Sequence, residues 1–273
     1  MTLITNDKDS VTGCDVVEEM GHLLRDFGAN QDRRIVFLHA YWIISKRVME
    51  AVRLPPDKNP FLDAQWVEKL MVTFADLYLR TIDERQLSVR PWSYIHHLAQ
   101  SSKTTVLQDL LLGINIHINF DLPVALMTVL KGEPWQEHSH LIRRRFDHRQ
   151  INVILESAID HIQDELANYY GGAIGALDRL MARNDERIAS LAVRFFREET
   201  WDYAISLCAT SDQREQKVIR HRMEGETMSI AQSLGEPKGF ILSMLLKSMR
   251  AFRRKYFTGP LLPASALKSE VLN

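Results

Sequence analysis

The stretch Leu110–Leu130 constrains this chain more than any other. It is almost wholly apolar, yet it holds Asn115, His117, Asn119 and Asp121, with Pro123 close behind. Extended back to Val106, it is long enough to cross a bilayer. However, Asp109 and the four residues just named would then lie in hydrocarbon, which costs several kcal/mol unless they are paired inside a bundle. The reading that fits is a buried central helix in a soluble protein, without stable membrane insertion.

Ile114–Leu122 alternates apolar and polar residues strictly, which alone suggests a half-buried strand. Its flanks carry helical spacing, with Leu107, Leu111, Ile114 and Ile118 before it and Val124–Leu130 after. A helix here is apolar almost all round and must be buried on every side. Its polar residues then face protein and need partners. Pro123 has no N–H for the Asn119 carbonyl and disfavours helical geometry at Leu122, so a kink is expected beside His117 and Asp121. Local rules broken in this way tend to mark functional sites.

On a helix His117 and Asp121 share a face, as do Asn115 and Asn119. The carboxylate can orient the imidazole for proton transfer near neutral pH. His-x3-Asp is also a workable ligand spacing for a divalent metal. A third reading is a pair that merely closes its own hydrogen bonds. The spacing recurs at His22–Asp26 and His161–Glu165, only slightly more often than chance allows. His96-His97 and His138-Ser139-His140 read as exposed.

The rest of the chain reads as helices. They are expected at Val16–Phe27 (stopped by Gly28), Asp32–Arg53 (capped by Asn30) and Asp63–Ile82, then from Pro91 and from Thr105. More follow near Asp147–Tyr170, Ala173–Arg183, Asp185–Leu207, Asp212–Ser233 and Lys238–Phe257. Only 12 Gly and 9 Pro in 273 residues favour long helices over many short strands. The expected fold is all-α: one multi-helix bundle of about 9–11 helices over 1–259 around the proline-kinked helix, with a tail at 260–273.

With 34 Lys+Arg against 35 Asp+Glu and a net charge of −1, nothing suggests generic nucleic-acid binding. Arg143-Arg144-Arg145 and Arg250–Lys255 read as solvated helix surface. Cys14 and Cys208 are too few for a disulfide scaffold. The first ten residues lack an apolar run, so a cytoplasmic location is expected. No P-loop, Gly-x-Gly-x-x-Gly, Gly-x-Ser-x-Gly or Cys-x-x-Cys occurs.

Gly113–Leu126 resembles the hallmark Gly-Met-Asn-Ala-His-Ile-x-x-Asp-Leu-Pro-x-Ala-Leu of a bacterial all-α domain family of unknown function. Ile116 stands here in place of the small Ala. Weaker matches lie at Leu70–Leu77, at Asp147 with Asn152 and Leu155, and at Arg197–Trp201, where Thr200 departs from the pattern. The resemblance implies that Asn115, His117, Asp121, Asp147, Asn152 and Arg197 belong together; it implies no reaction. A fainter likeness, through Gly113, His117 and Asp121, is to the metal-binding helices of zinc-dependent phospholipases C and related nucleases.

The leading expectation is a small-molecule enzyme of lyase, cyclase or C–C bond-forming type, in specialised metabolism and without a redox cofactor. His117 would move the proton, Asp121 would orient it, and Asn115 or Asn119 would bind a developing oxyanion. Tyr41, Ser45, Asp147, Asn152, Arg197 and Trp201 would bind substrate, with Arg197 gripping an anionic group and Trp201 stacking. The alternatives are a metal-dependent hydrolase with His117 and Asp121 as ligands, and a non-catalytic binding protein. A homodimer is compatible with all three.

Overall fold

Local signals at the helix ends set the architecture. Thr12 opens α1 (Gly13–Ala29) through a capping box with Asp15. The helix runs past Gly28 and closes at Asn30, after which Gln31 turns the chain with φ 54°. Asn30 therefore ends α1 rather than starting α2 (Ile35–Val52), whose N-cap is Arg34 without a side-chain cap. Asp63 caps α3 (Ala64–Leu79) by accepting from the Trp66 N–H. Then come α4 (Arg90–Gln100) and α5 (Val106–Ile116), the latter opened by a Thr105–Gln108 capping box.

A single π-helical turn, His117–Asp121, joins α5 to α6 (Leu122–Leu130). The sequence fold continues through α7 (His138–Tyr170), α8 (Asn184–Ala209) and α9 (Gln213–Gly235). The computed structural model describes residues 11–82, 90–101, 103–170 and 184–235, and side chains there except at 167 and 184–196. Among the described residues every regular element is helical, so the fold is all-α. The helices expected at Ala173–Arg183 and Lys238–Phe257 and the tail at 260–273 lie outside the described residues.

Two helices share the centre. Residues 35–43 of α2 are buried without interruption, and α2 packs on α1, α3, α5 and α7. The rod from Val106 to Leu130 is long and apolar enough to cross a membrane. It is embraced by α2, α3, α4, α8 and α9, although Leu111 and Thr128 reach solvent, so its burial is not all-round. Apolar side chains form two adjoining clusters that share Val17, Ile44, Phe74 and Phe120.

The expected kink takes a different form. In the π turn the Leu122 N–H reaches back five residues to the His117 carbonyl. Pro123 then falls in the first turn of α6, where a missing N–H does little harm. Leu122 stays helical, with φ −59° and ψ −42°, despite the proline after it. The strain is relieved by widening the helix.

Two further expectations are corrected. His96 is buried, its Nε2 3.2 Å from the Thr81 hydroxyl. Arg144 is not solvated surface: it bonds Asp63 at 2.6 Å and Glu133 at 2.7 Å and lies over the Trp66 ring. Helix α7 begins well before Asp147, and that early start carries Arg144 into this loop-anchoring network.

Candidate functional site

The π turn sets His117 and Asp121 among side chains of α2, α3 and α4. His117 Nδ1 lies 2.9 Å from Asp121 Oδ2, and the same oxygen accepts the Trp92 indole N–H at 2.8 Å. Both members of the pair are buried. Burial pushes the His117 imidazole below its ordinary range and the Asp121 carboxyl above its own. The imidazole is therefore neutral at neutral pH. With Asp121 ionised, Nδ1 carries the proton and Nε2 presents its lone pair.

Aromatic rings surround that lone pair. Phe74 stacks on the imidazole with centroids 3.6 Å apart, and Tyr41 meets it edge-on at 4.4 Å. Phe37, Tyr78 and Trp92 complete the cage. Among the described residues, His117 Nε2 and the Tyr41 hydroxyl are buried without a hydrogen-bond partner, and Ser45 Oγ, four residues further along α2, is likewise unpartnered. Burial, with Asp121 nearby, raises the Tyr41 pKa well above its usual value, so the hydroxyl keeps its proton. Of the two α2 residues expected to bind substrate, Tyr41 lies against the His117–Asp121 pair.

Gly113 makes this crossing possible. A Cβ there would collide with Phe37 Cγ, so only glycine lets the Phe37 ring lie between α2 and α5 and still reach His117. A half-open cleft of about 310 Å³, solvent-filled space included, lies alongside. Its lining includes Arg33, Arg34 and His96, and also Phe37, Tyr78 and Trp92, three rings of the cage.

The remaining candidates fall elsewhere. Asn115 donates to the Thr227 carbonyl at 3.0 Å, and Asn119 donates to Asn115 Oδ1 at 2.9 Å. Two residues on from His117 along a helix is the opposite side, so these amides tie the rod to α9. Asp147 accepts the Leu62 and Asp63 N–H groups at 2.6 and 3.1 Å, fixing the loop that enters α3. Arg197 donates from Nε to Asn152 Oδ1 at 2.6 Å and from Nη2 to the His148 carbonyl at 3.0 Å. Trp201 lies beside the His148 ring at 5.3 Å. Arg197 meets Asn152 and His148, and Trp201 meets His148, between α7 and α8; none of these bonds or ring contacts reaches His117.

Sequence reasoning missed three contributors. Phe74 and Trp92 sit at ordinary helical core spacing, and nothing in that spacing betrays a stacked imidazole or a bond to Asp121. His148 was detectable, because it stands four residues before Asn152 on one helix face.

For a metal, the donor set is poor. Among the described residues no three His, Cys, Asp or Glu side chains gather. His117 Nδ1 is engaged by Asp121, and the surroundings of Nε2 are aromatic. The ligand set implied by the zinc phospholipase likeness is not matched by these residues.

No curated protein and no solved structure matches the chain. A family model does match, over residues 14–237, which takes in the π turn, Asp147, Asn152 and Arg197. The chain belongs to DUF5995, a family of unknown function.

Proposed function

We propose that the chain is a small-molecule enzyme in which His117 accepts a proton from carbon next to a carbonyl. The observation that carries this reading is the trio of buried, unpartnered polar atoms: His117 Nε2, Tyr41 Oη and Ser45 Oγ. Leaving such groups unmatched costs about 1–3 kcal/mol each. A ligand with one acceptor oxygen and one acidic C–H beside it matches them all. Nε2 takes the proton, Asp121 steadies the imidazolium that forms, and the two hydroxyls donate to the developing enolate oxygen. These hydroxyls replace Asn115 and Asn119 in the oxyanion role, because the amides are engaged with each other and with Thr227. The aromatic cage favours a largely apolar, planar substrate body.

Proton return to the same carbon gives isomerisation; loss of a neighbouring group gives a lyase; attack on a second carbonyl gives C–C bond formation. No redox cofactor enters any of these. The test is an incubation of the protein with a bacterial metabolite extract in D₂O, followed by mass spectrometry. Wild type should label or consume a carbonyl compound, and His117→Ala should do so at least ~100-fold more slowly. Equal rates, or no compound whose labelling depends on His117, would overturn the reading.

A further inference from the structure

Among the described residues, Arg197 is a buried cation with no bonded counter-charge. The residue is 4 % exposed. Its two hydrogen bonds end on neutral oxygens, the Asn152 amide and the His148 carbonyl. A guanidinium has five N–H groups, so three remain, including both on Nη1. The nearest carboxylate that influences it, Glu198, is bonded instead by Arg145 at 3.0 Å and by Arg149 at 2.7 Å. Three guanidinium groups thus share one carboxylate, and the most deeply buried of them receives no bond from it.

His148 is the second, independent observation. Its ring is fully buried, and both Nδ1 and Nε2 lack a hydrogen-bond partner. Burial, with Arg197, Arg145 and Arg149 nearby, holds it neutral, so one ring nitrogen is an N–H donor with nothing to donate to. A buried charge without a partner and an idle donor beside it are both costly. One small anion corrects both.

We propose that Arg197 and His148 form a binding site for a small carboxylate between α7 and α8, separate from the His117 pair. The free end of the guanidinium presents parallel N–H groups from Nη1 and Nη2, which suit a carboxylate held by both oxygens. Trp201, 5.3 Å from the His148 ring, supplies an apolar wall. This site does not depend on the proton-transfer reading of His117.

The probe is acetate, exchanged for chloride at constant ionic strength, with the melting temperature as readout. The rise should saturate and reach about 3 °C or more, as expected when a ligand is well above its Kd. His117→Gln should show the same rise. Arg197→Lys, which keeps the charge and loses the fork, should abolish it. If Arg197→Lys does not fold, His148→Phe takes its place and should weaken the acetate response at least ~10-fold in midpoint concentration. An unsaturated or absent response in wild type overturns the proposal. So does a response that survives Arg197→Lys or His148→Phe, or one that disappears in His117→Gln.

Discussion

At the scale of single residues, what sets His117 apart is that one of its nitrogens is fixed and the other is left open. Asp121 Oδ2 receives both the imidazole and the Trp92 indole N–H, so the carboxylate is itself held in place. Asp121→Asn should preserve the shape and lose the charge that selects the Nδ1–H tautomer. Imidazole ¹⁵N shifts should show that tautomer in wild type and a mixture in the variant. Turnover that depends on His117 should fall by about 10²–10⁴. Unchanged ¹⁵N shifts would count against orientation by Asp121. Trp92→Phe should leave the tautomer in place, because His117 keeps its acceptor. It should cost about 1–3 kcal/mol in urea unfolding, through the lost charge-assisted bond and the smaller ring. A loss much below that range would make the indole bond incidental.

At the scale of elements, the π turn and the α2–α5 crossing place the site. Gly113→Ala drives a methyl into Phe37, whose Cβ would stand 2.7 Å away. Relief requires α2 and α5 to part or Phe37 to leave its contact with His117. The expected cost is about 1–3 kcal/mol by denaturant melting, with a change in the His117 ring signals; a neutral substitution would mean that the crossing is looser than described. The sequence showed much of this. The Thr105 start, the burial of the rod and the His117–Asp121 pair followed from helical spacing and from polar residues in an apolar run. The widening at Pro123 did not, because α and π turns share one sequence pattern until the neighbours choose between them. Nor did the division of the polar residues into two places. The family resemblance groups Arg197 and Asn152 with His117, and sequence adjacency has no means of showing that α7 and α8 keep them apart. Tyr41 and Ser45 are buried on α2 with unpartnered hydroxyls, which no sequence pattern shows, and Asn115 and Asn119 needed the position of Thr227 on α9 to explain them.

At the scale of the whole molecule, the ionisation states of the buried groups make stability depend on pH in one direction. His39, His96, His117 and His148 are all buried. Burial lowers each below the ordinary value of 6.5, His39 to about 4 and His96 to about 3. A histidine whose folded pKa is depressed leaves the unfolded chain binding more protons once the pH drops below about 6.5. Stability is therefore full above that pH and is lost as the pH falls toward the folded values. Each such group contributes a slope of up to about 1.4 kcal/mol per pH unit, and four together give about 5. Asp121 and Asp147, whose carboxyls burial raises, act in the opposite sense and add stability as the pH falls toward their unfolded value near 3.8. Two carboxyls offset at most half the slope of four imidazoles. Folding free energies of about 5–15 kcal/mol are therefore drawn down as the pH falls below 6.5. Urea titrations at pH 7.5, 6.5, 5.5 and 4.5 should show a plateau followed by a steep decline below 6.5. His96→Phe, outside the His117–Asp121 pair, should reduce that decline by about a quarter. A free energy that stays level down to pH 4.5 would mean that these imidazoles take up protons in the folded protein, and the neutral His117 on which the proton-transfer reading depends would fall with it.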